Sequence, residues 1–322
     1  MLHFTFYGVC ILSKNIFDDD INLKEIFDVL WSKKLFICLT TLTFAVASVV
    51  YALNVPNIYK ADTLLAPAES SGGNQLSQMA AQFGGLAALA GVNLGGNDSN
   101  QTELAVQVMK SRNFVEGFIK KHDLLVPLMA AKGWDLGKNM LLIDDEVYDE
   151  SSDTWLREPS GLRGSKPSSQ EAYETFIKNV LKVKQDKESG LYSVSIMHYS
   201  PFIAKEWVNW IVQDINKVMR ERTISETSQN LEYLNQQLAK TAIADMQSTF
   251  YKLIEEQTKS LMLAEVQEEF VFKVIDPAVV PEEKTQPSRA IICILGTFLG
   301  GFLSCIIVLV LHVYRKQKQL TS

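Results

Sequence analysis

Residues 35–59 read LFICLTTLTFAVASVVYALNVPNIY, and residues 290–314 read AIICILGTFLGGFLSCIIVLVLHVY. Each run is 25 residues long without a single Asp, Glu, Lys or Arg, and each is closed by basic residues, Lys34 and Lys60 for the first and Arg289 and Arg315 for the second. About 20 predominantly apolar residues let a helix cross roughly 30 Å of hydrocarbon. Both runs are therefore predicted to be transmembrane helices, over 35–55 and 290–314. Their placement at opposite ends of the chain disfavours the alternative, a pair of buried core helices.

Flanking basic residues set the expected orientation. Lys24, Lys33 and Lys34 precede the first span, and Arg315, Lys316 and Lys318 follow the second. Both outer flanks then read as cytoplasmic, and the chain as a two-pass membrane protein whose segment 60–289 is exported. The expected division is a cytoplasmic tail over 1–34, a span over 35–55, an exported α+β domain over 56–289, a second span over 290–314 and a cytoplasmic tail over 315–322. Cysteine usage agrees: Cys10, Cys38, Cys293 and Cys305 all lie outside segment 60–289, which can bury a core without disulfides. Phe4 to Leu12 is apolar, but it lacks a basic leader and an A-x-A-like cleavage site, so it reads as a cytoplasmic or interfacial tail.

The 322 residues carry a net charge of -6, which argues against nucleic acid as a partner. Within the exported segment, Ile58 to Leu65 reads as a strand ended by Pro67. Residues 70–97 are uncharged but rich in Gly, Ser, Gln and Asn, a composition that disfavours a third span and suggests a loop with a short helix around Met79–Leu89. Residues 102–121 read as one helix, with Leu104, Val108, Val115 and Ile119 at helical spacing and Lys120 and Lys121 at its C-terminal end. An exposed loop is expected over 144–170. Ser168 and Glu171 form a capping box that opens a helix through Val180. Leu181–Gln185 and Leu191–Tyr199 read as a β-hairpin, with Tyr192, Val194 and Ile196 on its buried face.

After the N-cap Ser200 and Pro201, no Gly or Pro occurs from Phe202 to Asp276. A long helix is predicted over about 201–269. At that length it would reach roughly 100 Å, more than a compact domain of this size, so it must bend back or project, and Thr223–Asn230 is the polar stretch where it could break. Leu231, Leu234, Leu238, Met246, Phe250, Leu253 and Leu261 keep a rhythm of three or four residues and are candidates for an interface between subunits. Glu269 to Asp276 returns to strand-like alternation. A proline-rich segment over 277–287, with Pro277, Pro281 and Pro287, should give a stiff, extended approach to the membrane. Inside the second span, Gly296, Gly300 and Gly301 allow close helix packing.

Catalytic signals are missing. His3, His122, His198 and His312 are scattered without metal-ligand spacing, and there is no nucleophile elbow, zinc-protease motif or phosphate loop. The acidic run Asp144, Asp145, Glu146, Asp149 and Glu150 lacks calcium-loop spacing and reads as a solvated face. No cofactor or metal is expected, and no enzymatic activity.

Two terminal spans, one large exported domain, a long breaker-free helix and a proline-rich approach to a Gly-containing span resemble one family, the chain length determinant or Wzz-type polysaccharide co-polymerases of bacterial inner membranes. The resemblance covers about residues 21–314. Pro56-Asn57-Ile58-Tyr59-Lys60-Ala61, Tyr233-Leu234-Asn235-Gln236-Gln237-Leu238 and Val274-Ile275-Asp276-Pro277-Ala278 are similar to family stretches. The family's proline motif expects Ser-Pro-Lys before the span, whereas this chain has Gln286-Pro287-Ser288 with Arg289 one place later. The resemblance implies a non-enzymatic homo-oligomer with an α+β base domain and long projecting helices, embedded in membrane lipids. It also implies that the protein sets the chain length of O-antigen or a related lipopolysaccharide component, with a Wzy-type polymerase and the growing lipid-linked polysaccharide as partners. Two other readings are a periplasmic sensor or receptor, which the eight-residue C-terminal tail leaves without an output domain, and an adaptor of an export system, which would not need the second span.

Overall fold

The computed structural model describes residues 23–68 and 98–320. The Gly-rich segment and the N-terminal apolar run lie outside the described residues. Along the chain these residues form helices α1 (Leu23–Ser32) and α2 (Lys34–Asn54), strand β1 (Tyr59–Pro67), and helices α3 (Asp98–Met109), α4 (Arg112–Lys121) and α5 (Leu125–Met129). Next come four short strands, β2 (Ala131–Asp135), β3 (Met140–Ile143), β4 (Tyr148–Asp149) and β5 (Thr154–Trp155), and helix α6 (Ser169–Thr175), which continues as a π turn over Phe176–Val180. The chain then runs through β6 (Leu181–Gln185), β7 (Tyr192–His198), α7 (Pro201–Lys240), α8 (Ala244–Val266), β8 (Phe272–Asp276) and α9 (Arg289–Leu320). Two compact units result, one from the chain's ends (Met1–Val55 with Pro287–Ser322) and one from Pro56–Gln286.

In the first unit, α2 and α9 pack on each other along their lengths. Both are long and apolar enough to cross a membrane, yet only 6% and 17% of their most apolar windows is buried. A soluble core helix would hide such a surface, so these two are candidate membrane spans.

The second unit is α+β, as the sequence pattern implies. Its main sheet has the order β6-β7-β1-β8, antiparallel throughout. In β1 the side chains of Ala61, Thr63 and Leu65 are buried in alternation, and across the sheet Tyr192, Val194 and Ile196 are buried with Ser195 also covered between them. Trp207, Val208, Ile211 and Ile215, spaced for one face of α7, join them in a core completed by Met109, Phe114, Phe118 and Phe176. Of the polar residues that α7 buries, Asn216 accepts from the backbone N–H groups of Val271 and Phe272 at 2.9 Å each and donates to the Phe272 carbonyl at 2.9 Å. It docks the start of β8 onto the helix.

Several local readings need correction. The helix expected over 102–121 is two helices. Ser111 adopts extended backbone and caps α4 by accepting from Phe114 N, and the buried side chains of α3 are Thr102, Ala105, Val106 and Met109, while Leu104 is 42% exposed. The helix expected over about 201–269 is interrupted at 241–243, not at Thr223–Asn230. Thr241 and Ile243, both β-branched, take extended ψ values of 120° and 118°. Thr241 Oγ1 donates to Gln237 O at 2.9 Å and Gln247 Nε2 donates to Thr241 O at 2.7 Å, so the break leaves those carbonyls satisfied. The chain reverses there and α8 packs back along α7, ending where Arg220 Nη1 donates to Gln267 O at 3.4 Å. The loop over 144–170 contains β4 paired with β5 and is pinned by Glu171.

Candidate functional site

Three features of the chain could carry function: the contact between the spans, the two-helix arm, and the polar groups around the sheet. The second span's glycines face residues on α2. A Cβ added at Gly296 would come within 2.4 Å of Ser48 Cβ, and one at Gly300 within 2.4 Å of Phe44 Cβ. Gly301 is looser, with Thr41 Oγ1 at 3.7 Å. The helices thus run antiparallel and meet closely at two successive turns, where only glycine leaves room. Ser304, one turn on, is buried and donates to Gly301 O at 2.7 Å. The sequence spacing pointed to Gly296 and Gly300; it did not reveal that their partner is the first span of the same chain.

The prolines are spread. Pro277 is exposed, while Pro281 and Pro287 are half-buried. Between them the chain returns to the start of the sheet, where Ile58 N donates to Gln286 O at 2.9 Å and Thr285 N donates to Ile58 O at 2.8 Å.

The helical candidates are divided between two helices. Leu231, Leu234 and Leu238 are half-buried on α7, and Phe250, Leu253 and Leu261 are half-buried on α8, which packs against it; Met246 is 47% exposed. They do not form one unpartnered stripe, because the arm folds on itself. Other apolar side chains of the arm remain outside: Tyr233, Ile243, Tyr251, Met262 and, at 80% exposure, Val266. Sequence rhythm selected the inner set and missed the outer one, because a period of three or four residues does not say which helix face finds a partner within the chain.

The polar groups are held tightly. His198 is 5% exposed; its Nδ1 accepts from Ser200 N at 3.1 Å, which leaves the proton on Nε2 to donate to Pro127 O at 3.1 Å. Burial pushes its pKa down to about 4. His122 stacks on Trp210 with ring centroids 4.4 Å apart and lies 2.9 Å from Asp214 Oδ2, while Lys121 pairs with the other carboxylate oxygen. This knot fastens the end of α4 to α7. Glu171 receives Arg157 at 3.1 and 3.2 Å, Arg163 at 3.1 Å and Ser168 N at 2.9 Å; the hydrogen bonds from Arg157 lead in lowering its pKa. The acidic run of the loop over 144–170 resolves into turn chemistry. Asp149 accepts from the hydroxyls of Ser151 and Ser152, which lower its pKa to about 2, and Lys132 lies within 3.8 Å of Asp144 and Asp145. Among the described residues no group of three or more His, Cys, Asp or Glu could share a metal ion. A groove of about 380 Å³, lined in part by Gln213, Lys217, Arg220, Glu268 and Glu269, opens between α7 and the chain leading into β8.

Residues 19–122 match the family model described as chain length determinant protein, and residues 234–313 match one described as G-rich domain on putative tyrosine kinase. The second match runs through the end of α7, α8, β8 and most of the second span. A solved full-length bacterial polysaccharide co-polymerase aligns at 12% identity over 92% of this chain and 99% of its own, with a TM-score of 0.38. A fragment of WzzB, a polysaccharide co-polymerase from Salmonella Typhimurium, aligns at 13% identity over 71% of this chain and 99% of its own, with a TM-score of 0.28. No curated protein matches in sequence.

Proposed function

We propose that this chain is a member of the Wzz-type chain length determinant family, whose model residues 19–122 match, and that it is a non-enzymatic regulator of polysaccharide chain length, acting as a homo-oligomeric scaffold beside a Wzy-type polymerase. The product in this reading is O-antigen or a related component of lipopolysaccharide. The observation that carries the scaffold reading is the outer face of the arm. Tyr233, Ile243, Tyr251, Met262 and Val266 lie outside the spans, exposed on a pair of helices that already bury their inner leucines in each other. Apolar surface of that kind marks a contact with another protein, and a second copy of the arm supplies a matching face. The half-buried Leu231, Leu234, Leu238, Phe250, Leu253 and Leu261 then stiffen each arm, while exposed Met246 belongs to the contact. Gly296, Gly300 and Gly301 hold each subunit's spans together, and Pro277, Pro281 and Pro287 fix the chain's return toward them.

The basic flanks support an orientation with 1–34 and 315–322 in the cytoplasm and 56–289 in the periplasm. There the polar groove beside Arg220 and Glu269 offers hydrogen-bond donors and acceptors suited to a growing, lipid-linked glycan.

Deleting the gene and separating the lipopolysaccharide by electrophoresis tests the reading. Loss of a modal ladder, restored by the wild-type gene, is the expected outcome; an unchanged ladder together with unchanged capsule overturns it. The scaffold part has its own test: the purified full-length protein running as a monomer in mild detergent would remove it.

A further inference from the structure

We propose that the chain binds one anionic phospholipid in a cleft between α1, the start of α2 and the end of the second span in α9. The cleft measures about 320 Å³, within the range of small-molecule sites. Its walls are of two kinds. Val29, Phe36, Val308 and Leu311 make an apolar side, and Ser32, Lys33 and His312 make a polar one. The division follows the chain. On one side of the cleft lie the two uncharged runs; on the other the helices carry their basic ends. Residues 23–34 and 312–320 contain six Lys or Arg against two acidic residues. A phosphate diester above an acyl chain is the molecule whose polarity changes across the same boundary.

The details assign the donors. Ser32 Oγ gives its proton to Val29 O at 2.8 Å, so it can only accept. Lys34 lies over the Trp31 ring, 5.0 Å from its centroid, and is drawn to that aromatic face. Lys33 is the exposed cation that lines the cleft itself. Phe27 and Trp31 stack 5.8 Å apart and remain exposed, as aromatic residues do at a membrane surface. A lipid seated here touches α1, α2 and α9 together, so its binding stabilises their arrangement. The inference requires that the two helices span a bilayer; it does not depend on the chain-length reading.

The test uses purified full-length protein in mild detergent, offered equimolar phosphatidylglycerol and phosphatidylethanolamine and examined by native mass spectrometry. Phosphatidylglycerol is expected to be retained about tenfold better. Lys33→Gln should reduce that retention about fivefold, the effect of one lysine on attraction to anionic lipid. Leu311→Trp fills the apolar wall and should reduce it while leaving every charge in place. Equal retention of the two lipids, or retention unaffected by both substitutions, overturns the proposal. So does displacement of the lipid by millimolar inorganic phosphate, which would mark a site for the anion alone. Both positions are exposed, and an unchanged circular dichroism spectrum confirms that each variant is folded.

Discussion

Lowering the pH should weaken the unit Pro56–Gln286 through one side chain. His198 lies against the core with Trp207 at 4.9 Å between ring centroids, and its two nitrogens are committed to Pro127 O and Ser200 N. In the unfolded chain it takes a proton near pH 6.5; in the folded chain burial holds that event down to about pH 4. The folded pKa is depressed, so its contribution is intact above pH 6.5 and is lost as the pH falls toward 4. Each pH unit in that window costs the folded state about 1.4 kcal/mol. The loss reaches about 2–3 kcal/mol by pH 4.5, a large share of the roughly 5–15 kcal/mol that holds a domain folded. Protonation also places an N–H on Nδ1, facing the Ser200 N–H that it now accepts. Urea unfolding of the full-length protein in mild detergent, followed by tryptophan fluorescence at pH 7.0 and 4.5, measures the effect. His198→Gln keeps an amide that can serve both partners but cannot titrate. The wild type should lose about 2–3 kcal/mol more than the variant over this interval. Parallel losses in the two proteins would refute the assignment.

Three further outcomes follow from the contacts described. Gly300→Leu should drive α9 from Phe44 on α2, costing about 1–3 kcal/mol and lowering the melting temperature in detergent, while Leu299→Phe on the exposed face leaves it unchanged. Asn216→Ala strands the N–H groups of Val271 and Phe272 and should cost about 2–4 kcal/mol, seen as a lower urea midpoint with an unchanged slope. Glu171→Gln should release the loop held by Arg157 and Arg163, at about 1–3 kcal/mol, and speed amide hydrogen exchange over residues 157–168. Because the pKa of Glu171 is lowered on folding, its contribution is present above the usual carboxylate range and fades as the pH falls below it.

Charge-free length together with apolar composition made the spans legible, whereas the uncharged stretch 70–97 is broken by Gly, Ser, Gln and Asn. The capping box at Ser168 and Glu171 and the alternation of Tyr192, Val194 and Ile196 were legible because each depends on neighbours in the chain. The turn at 241–243 was not. It uses neither Gly nor Pro, and its stability comes from α8 packing on α7, which no local pattern records. Leu104 shows the same limit: it keeps a helical rhythm with Val108, yet α3 buries Ala105 and Met109 because the sheet lies on that side. Asn216 and Asp214 carried a usable signal, polar residues inside an apolar helical face, whose partners lie as far as 93 residues away in sequence.

The position of β1 in the sheet sets an order of events during synthesis. It is a central strand, flanked by β7 and β8, and Leu65 pairs with Tyr192 on one side and with Val274 on the other. It also emerges first, directly behind the initial span. Both its edges stay open until roughly 130 and then 210 further residues have been made, which at about 5–20 residues per second takes on the order of 10–40 s. Throughout that interval the nascent strand is a template for pairing with the wrong chain. The alternation of buried and solvent-facing positions in β1 fits a strand that spends its first seconds without neighbours: Asp62 lies between Ala61 and Thr63 and places a charge where a foreign strand would dock.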